Sequence, residues 1–288
     1  YRFLVKPGEE FKIEGSYTGV KEMTCTATAK LNEGTAKVYT VSDTNKKEYT
    51  LSIGDYYCAD GSIVSKGVDD KDIPNNVIGI VCYIGNPQPS ITHPQSGNTE
   101  DNDALKRDYP NCVHGLVYAL TADGTSGGRF GSASSYAYFD RFSIEGLDAA
   151  YLWGDSEKPS DNSLFGSGIL GYNNTVVLNI INNGLSGGAQ NMINEHLLPY
   201  REKVSVPVNL STEWYLPSLG ELKVIADNKV LINESLARIE GAEQLWNNNY
   251  WSSTYNAPGF LWWIVGNTDT PGYSGVKGGG YYRFSLAF

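Results

Sequence analysis

Apolar and polar residues alternate in the first part of the chain, for example over residues 11–14 (Phe-Lys-Ile-Glu) and 36–41 (Ala-Lys-Val-Tyr-Thr-Val). Glycines interrupt this alternation at short intervals. A period of two with closely spaced turn residues is typical of antiparallel strands that bury one face. The pattern therefore predicts a small all-β, sandwich-like unit over residues 1–52.

The pattern changes after this first unit. Residues 77–84 and 113–120 are nearly continuous apolar runs, which predict two strands buried on both faces. The intervening residues 85–111 carry several Pro and Asn and mixed charges, which predict a long surface loop. Residues 121–135 are rich in Gly and Ser and are expected to form a second loop.

Helical spacing appears in the second half of the chain. Helices are predicted to begin near Asn174 and near Gly188, and a further helix is predicted over residues 233–239. Ser218, followed three residues later by Glu221, matches the capping box that opens a helix. Strands, then helices, then strands again predict an α+β domain over residues 53–288.

The end of the chain combines two strand patterns with an aromatic segment. Residues 250–254 (Tyr-Trp-Ser-Ser-Thr) and 281–288 have the character of strands, and residues 255–280 between them are rich in Gly, Asn, Trp and Tyr but poor in charge. Rigid aromatics on a Gly and Asn scaffold are typical of binding loops. We expect core positions for Trp251, Trp262 and Tyr282, and exposure for at least some of Tyr255, Phe260, Trp263 and Tyr273.

Charge and hydropathy exclude several classes of partner. The 288 residues carry a formal net charge of −10, and no basic footprint for a nucleic acid or an anionic membrane surface is visible. No apolar run is long enough to span a bilayer. The chain opens in strand-like sequence without a starting Met, so we interpret it as a processed or trimmed fragment. The missing signal peptide is then no evidence for the cytoplasm.

The four cysteines allow two interpretations. Cys25, Cys58, Cys82 and Cys112 form no C-x-x-C pair, which disfavours zinc ribbons and thioredoxin chemistry. Each has apolar or β-prone neighbours, so buried free thiols are expected. A disulfide between Cys58 and either Cys82 or Cys112 is the alternative, permitted in an oxidising compartment.

Catalytic and metal-binding patterns are weak. Residues 124–128 and 184–188 match G-x-S-x-G, but both lie in Gly-rich segments without the strand and helix that a nucleophile elbow needs. Residues 166–171 match G-x-G-x-x-G and are interpreted as a turn. Acidic residues 69–72 and 101–103 are expected in solvated loops. Of the three His, His93 is placed in a loop, His114 in the core and His196 in helix packing. We expect no catalytic residue, metal or cofactor.

Several blocks in order carry a resemblance to a known family. The blocks are residues 53–62 (Ile-Gly-Asp-Tyr-Tyr-Cys-Ala-Asp-Gly-Ser), 77–81 (Val-Ile-Gly-Ile-Val), 114–120 (His-Gly-Leu-Val-Tyr-Ala-Leu), 214–222 (Trp-Tyr-Leu-Pro-Ser-Leu-Gly-Glu-Leu), 250–254 and the terminal Arg283 with Ala287-Phe288. Together they are similar to the C-type-lectin-fold domain of Bacteroidales fimbrillin-type and surface adhesin proteins, which is related to formylglycine-generating enzymes and to retroelement-diversified receptor-binding proteins. This resemblance covers residues 53–288, and residues 1–52 look like an immunoglobulin-like spacer of the kind used in surface proteins.

This resemblance implies an exported protein at the cell surface, attached to the outer membrane or part of a fimbria, of the lipoprotein or pilus-tip type. It implies ligand binding without catalysis or cofactor. In the diversified relatives the variable residues lie between the Trp-Ser-Ser strand and the final strand. Trp263 is an aromatic of the same segment and completes the predicted ligand-binding set: Tyr255, Asn256, Phe260, Trp262, Trp263, Asn267, Asp269, Tyr273 and Lys277.

Departures from the family limit what the resemblance implies. Relatives commonly end in Arg-Pro-Val-x-Ala-Phe, whereas residues 284–286 here are Phe-Ser-Leu, so the ligand's identity is not transferred. Neither Glu-Pro-Asn nor Gln-Pro-Asp occurs, which disfavours a calcium-bridged sugar site. The oxidase relatives need a late Cys pair, and every Cys here lies at or before residue 112.

Three hypotheses therefore remain. The first is an adhesin whose C-terminal loops recognise a glycan or a protein. The second is a structural tip or stalk subunit of a fimbria, whose N-terminal strands pair with a neighbouring subunit. The third is an enzyme of the formylglycine-generating-enzyme-like fold, with a site near His114 or residues 121–135.

Overall fold

The computed structural model describes residues 10–17, 23–30, 50–92, 100–123, 128–131, 168–184, 191–245, 248–257, 259–266 and 268–288. The chain divides into two compact units, residues 1–51 and 52–288. The division falls beside the turn at Gly54, where the hydrophobic pattern of the sequence changes. Each unit has its own architecture.

An antiparallel hairpin is the described part of the first unit. Strand β1 (Glu10–Tyr17) pairs with β2 (Met23–Lys30), with Glu10 opposite Lys30 and Tyr17 opposite Met23. The alternating pattern thus does form antiparallel strands here. The predicted strand over residues 36–41 lies outside the described residues, so the immunoglobulin-like sandwich stays a prediction.

A five-stranded antiparallel sheet forms the centre of the second unit, in the order β10-β6-β5-β3-β4. Both apolar runs of the sequence lie in it, as predicted. The two strands that contain these runs approach closely at Gly115, where a Cβ would come within 2.4 Å of the carbonyl oxygen of Tyr83. Its members are β3 (Tyr56–Cys58), β4 (Ile63–Val64), β5 (Val77–Ile84), β6 (Gly115–Ala119) and β10 (Ser285–Ala287).

A separate three-stranded antiparallel sheet in the order β7-β8-β9 occupies most of the segment predicted as loops. The expectation of loops over residues 255–280 is therefore wrong for much of that segment. Its Phe-Leu-Trp-Trp-Ile-Val run is β-prone throughout, and this outweighs the flanking glycines. The strands are β7 (Tyr250–Ala257), β8 (Phe260–Val265) and β9 (Thr270–Gly275).

Helices lie between the strands. The longest described helix is α3 (Gly171–Gly184). A π-helical stretch over Asn191–Leu197 leads directly into α4 (Leu198–Lys203). Short 3-10 turns occur at Asp70–Asp72 and Glu100–Asn102. The described α-helices are α1 (Pro89–Thr92), α2 (Ala104–Asp108), α3 (Gly171–Gly184), α4 (Leu198–Lys203), α5 (Leu219–Asp227) and α6 (Lys229–Leu236). None of the helices in the described residues is long and apolar enough to cross a membrane.

Of the four predicted helix starts, two are wrong, one is confirmed, and the one near Gly188 lies outside the described residues. The capping box that opens α5 is present with both arms, since the Ser218 side chain accepts from the Glu221 N–H and the Glu221 side chain accepts from the Ser218 N–H. Asn174 does not begin a helix but lies buried inside α3, where its Nδ2 donates to Ser253 Oγ at 3.3 Å. The last helix begins at Lys229 rather than at residue 233, because Asn228 ends α5 and directly precedes α6.

The long surface loop predicted over residues 85–111 is also wrong. Its described part folds back onto the domain as short helices, and the reason is a buried carboxylate. Asp103 accepts from the Lys106 N–H at 2.9 Å, which caps α2, and from the Ser90 N–H at 2.8 Å, which ties α1 to α2. Asn173 of α3 accepts from the Leu105 N–H at 3.0 Å. Local polarity predicted exposure, whereas these polar groups satisfy buried backbone donors.

Three cysteines belong to the apolar core cluster, to which the five-stranded sheet and the helices α5 and α6 also contribute. Cys58, Cys82 and Cys112 are buried free thiols, so the alternative of a disulfide among them is wrong. Burial raises the pKa of all three thiols, that of Cys112 to about 11. These cysteines act as small apolar residues of the core. The side chain of Cys25 lies outside the described residues.

Candidate ligand-binding hairpin

The predicted binding segment folds around the β8–β9 hairpin. Trp262 of β8 pairs with Tyr273 of β9, and Phe260 pairs with Gly275, so Phe260, Trp262 and Tyr273 share one face. Asp269, in the turn, has a positive φ of 52°. Asn267, a predicted ligand-binding residue of the same turn, lies outside the described residues.

An exposed aromatic ring stands on this face. Tyr273 is 61% exposed, Phe260 is half-buried and Trp262 is buried. The Tyr273 ring meets Trp262 edge to face, with centroids 5.7 Å apart and planes at 78°, and meets Phe260 at 6.3 Å and 71°. Such T-shaped contacts are favourable and hold the ring in place. The face therefore presents one exposed ring on an aromatic base.

Trp263 lies on the opposite face and has a packing role. Its ring is 5.1 Å from that of Trp251, which in turn is 5.5 Å from Phe130. It also covers Gly272, where a Cβ would come within 2.5 Å of Trp263 Nε1. Tyr255, opposite Leu261, is buried as well. Trp263 and Tyr255 therefore pack on the face of the hairpin that is opposite to Tyr273.

The polar members of the predicted set are dispersed. Asp269 Oδ2 and Lys229 Nζ of α6 form an ion pair at 2.6 Å, in which both side chains are about one-third exposed. Asn256 is half-buried, and Lys277 is exposed beyond the end of β9. Asp269 and Lys277 are the charged residues of the segment 255–280. The face around Tyr273 is therefore aromatic and nearly uncharged.

The alternative catalytic positions gain no support from their geometry. His114 is exposed, so its predicted place in the core is wrong. The buried strand β6 begins only at Gly115. The backbone N–H of His114 donates to Phe288 O at 2.8 Å. His196 packs as predicted, with its ring 4.5 Å from Tyr282 and Nδ1 3.2 Å from Asp123 Oδ2. His93, residues 124–127 and residues 132–135 lie outside the described residues, so the hypothesis of an enzyme site near residues 121–135 stays untested.

Among the described residues, no group of three or more His, Cys, Asp or Glu side chains could hold a metal ion. Residues 69–72 (Asp-Asp-Lys-Asp) are all exposed. Asp103, from the other acidic segment, is buried as a helix cap and accepts two backbone N–H groups. Its oxygens are thus occupied by the protein's own donors.

Pattern analysis missed several structural roles. No local pattern indicates a role for Lys229, because its partner lies 40 residues away in the sequence. Arg283 belongs to a block that carries the family resemblance, and the structure shows that it is almost completely buried and donates to three backbone carbonyl groups. A single charged residue inside a strand-like segment was the available signal for it, because such a residue must be paired when buried.

Comparison with known proteins gives two relatives. No protein-family model matches the chain. It is 34% identical over 305 residues to Fim1C of Bacteroides ovatus, whose name describes a proposed fimbrium tip subunit, and the match covers 100% of this chain and 55% of Fim1C. The crystal structure of a fimbrial protein from Bacteroides ovatus ATCC 8483 shares 30% identity at a TM-score of 0.69, covering 98% of this chain and 58% of that one.

The chain is therefore similar to Bacteroides fimbrial proteins along its whole length. It spans about half the length of the relatives it matches. The mixed α+β architecture with antiparallel sheets agrees with the predicted fold class.

Proposed function

We propose that this chain is part of a surface-exposed fimbrial subunit of the tip type. The supporting observation is its similarity to Fim1C, which extends over both units of the chain. The proposed role is non-catalytic, requires no cofactor, and places the protein outside the cell with other fimbrial subunits as partners. We also propose that residues 52–288 have the C-type-lectin-like fold that the sequence blocks suggest.

Electron microscopy of fimbriae tests this proposal directly. Fimbriae are sheared from cells that produce the full-length protein and labelled with gold-conjugated antibodies raised against residues 52–288. Gold at the filament ends is the expected result, and deletion of the gene should remove it. Gold along the whole filament would instead indicate a stalk subunit. Absence of the protein from the sheared fraction, with the filaments intact, would contradict a fimbrial role.

A second proposed function is ligand recognition by the face of the β8–β9 hairpin. The observation in its favour is the 61% exposure of Tyr273 on a nearly uncharged surface with an aromatic base. Exposed aromatic rings suit the apolar face of a sugar or an uncharged protein surface. The ligand would be a glycan or a protein at a cell surface, bound without calcium.

Replacing Tyr273 with alanine should weaken this binding without affecting folding. We expect at least about tenfold lower affinity, because truncation of a central aromatic anchor commonly costs this much or more. We expect the midpoint of thermal unfolding to change little, since an exposed ring contributes little to the core. Binding is measured on a glycan and glycoprotein array, first with calcium and then with EDTA, and the affinity for any hit is measured by biolayer interferometry.

Val208 offers a matched control, since it is an apolar residue 82% exposed outside the hairpin. Val208→Ala should leave array binding unchanged. Equal losses in the two variants would show nonspecific hydrophobic adsorption. An array without any signal from a folded sample would contradict the recognition role and leave the structural fimbrial role. Trp263 is not a useful partner for Tyr273 in this test, because it packs on Trp251 and its loss would disturb the fold.

A further inference from the structure

Lys229 stands at a position that does not favour a lysine. It is the first residue of α6, and a positive charge at a helix N-terminus opposes the helix dipole. The preceding residue, Asn228, forms no side-chain cap for α6, because its Nδ2 donates to Val224 O at the end of α5. The reason for a lysine here is therefore not the helix itself.

Its partner Asp269 lies in the left-handed region of the backbone. Asp269 has a φ of 52°, a conformation that most residues avoid but that Gly, Asn and Asp adopt more readily. Its N–H and that of Thr268 both donate to Val265 O, at 3.0 and 3.2 Å, which closes the turn. Lys229 Nζ lies 2.6 Å from Asp269 Oδ2, so a lysine that the helix does not favour pairs with the carboxylate of this turn.

The turn that this pair holds sets the position of the exposed ring. The ladder begins at Val265 opposite Thr270, and three residues further along β9 Tyr273 stands opposite Trp262. A second contact fixes the β8 side, because Gly266 lies against the backbone of Asn248, where a Cβ would come within 2.2 Å of the carbonyl oxygen. On the β9 side of the turn, the ion pair connects Asp269 to α6.

We infer that Lys229 is a positioning residue for ligand recognition: through Asp269 it holds the turn of the β8–β9 hairpin on α6, so that Tyr273 is presented on a rigid strand. This inference deepens the proposed recognition function and rests on it. Asp269, one of the predicted ligand-binding residues, then acts on the ligand indirectly. A rigid scaffold matters because ordering a loose strand on binding would lower affinity.

Hydrogen exchange tests the positioning role without any ligand. Lys229→Met removes the charge but keeps an apolar stem, and Asp269→Asn removes the charge but keeps a residue that tolerates a positive φ. Each should speed amide exchange over Thr270–Gly275 about threefold to fivefold, the range expected for a partly exposed ion pair. Exchange over Val77–Ile84 should not change. The double variant should add little to either single one, because both remove the same interaction.

Lys223→Met is the matched control. It removes the ion pair between Lys223 and Asp227, both of which lie on α5 and neither of which belongs to the hairpin. It should leave exchange over Thr270–Gly275 unchanged. One molar sodium chloride should speed exchange there in the unmodified chain but not in Lys229→Met, because salt screens the pair. An unchanged rate over Thr270–Gly275 in Lys229→Met, or an equal increase throughout residues 52–288, would overturn the positioning role.

The glycan and glycoprotein array separates this inference from the function on which it rests. If Tyr273→Ala abolishes binding, Lys229→Met should weaken it in proportion to the loosening of β9. Loss of binding in Tyr273→Ala, with unchanged exchange and affinity in Lys229→Met, refutes the positioning role and leaves recognition standing. Suppose that exchange is faster in Lys229→Met but neither the unmodified chain nor any variant binds the array. This result refutes recognition, whereas the role of the ion pair in holding the turn on α6 stands.

Discussion

Replacing Glu221 with alanine should lower the free energy of unfolding of residues 52–288 by about 3–5 kcal/mol. Glu221 is buried, and its Oε2 accepts from the Ser218 N–H at 2.7 Å. Its Oε1 accepts from the Gly171 N–H and from the Tyr215 hydroxyl, both at 3.3 Å. One carboxyl group thus serves the starts of two helices and a buried tyrosine. Alanine leaves these donors buried without a partner and also opens a cavity.

Urea unfolding followed by tryptophan fluorescence measures this effect. Glu234→Ala is the control, because Glu234 is an exposed glutamate on α6 and its loss should change stability by less than about 0.5 kcal/mol. A similarly small effect of Glu221→Ala would show that water or rearrangement satisfies the donors. In that case the contact between α5 and the start of α3 would not depend on this carboxyl group.

The same residue makes stability depend on pH in an unusual direction. Burial raises the pKa of Glu221 from 4.5 to about 8, although the N–H groups of Ser218 and Gly171 oppose the shift. The folded chain therefore keeps a proton that the unfolded chain releases above pH 4.5. Folding takes up this proton between those two pH values, so the contribution of Glu221 to stability falls as pH rises from about 5 to 8.

Comparison with Glu221→Gln isolates this dependence from all other titrating groups. The free energy of unfolding of the unmodified chain, minus that of Glu221→Gln, should decrease between pH 5 and 8 and level off above pH 8. Its slope should not exceed about 1.4 kcal/mol per pH unit, the limit for one proton. A difference that stays constant over this range would mean that Glu221 is ionised throughout.

The capping box shows what sequence could predict. Its two residues are three positions apart, and both of its hydrogen bonds are local, so the motif carries its own geometry. The apolar runs over residues 77–84 and 113–120 were similarly informative, because a strand buried on both faces needs no alternation. In such places local pattern and final structure agree.

Prediction failed where a distant partner decides the outcome. Asp103 is polar and lies in a Pro-rich segment, yet it is buried because it caps α2 and holds Ser90. Asp269 belongs to the ligand-binding set that the family resemblance implies, and no local pattern indicates that its carboxylate contacts Lys229. Tyr255 and Tyr273 look alike in the sequence, and only the pairing of the strands shows that one is buried and the other exposed.

Arg283 is the case in which the distant partners matter most, and Arg283→Met should lower the free energy of unfolding by about 3–5 kcal/mol. Its side chain lies over the ring of Tyr118, 5.1 Å from the centroid. Nε donates to Ala119 O, and one terminal nitrogen donates to both Leu120 O and Glu243 O, each at 2.8 Å. Methionine fills much of the volume but leaves the three carbonyl groups without these donors.

Two further variants separate charge from geometry. Arg283→Lys keeps the charge but not the planar fork, so it should recover less than half of the loss, since an ammonium group cannot reach all three carbonyl groups from one position. Arg107→Met removes an exposed arginine paired with Asp108 and should change stability by less than about 1 kcal/mol. Full recovery in Arg283→Lys, measured by urea unfolding, would mean that buried charge alone matters. Partial recovery would show that Arg283 joins β6 to the segment around Glu243 by its shape, which explains the presence of a buried arginine two residues before β10.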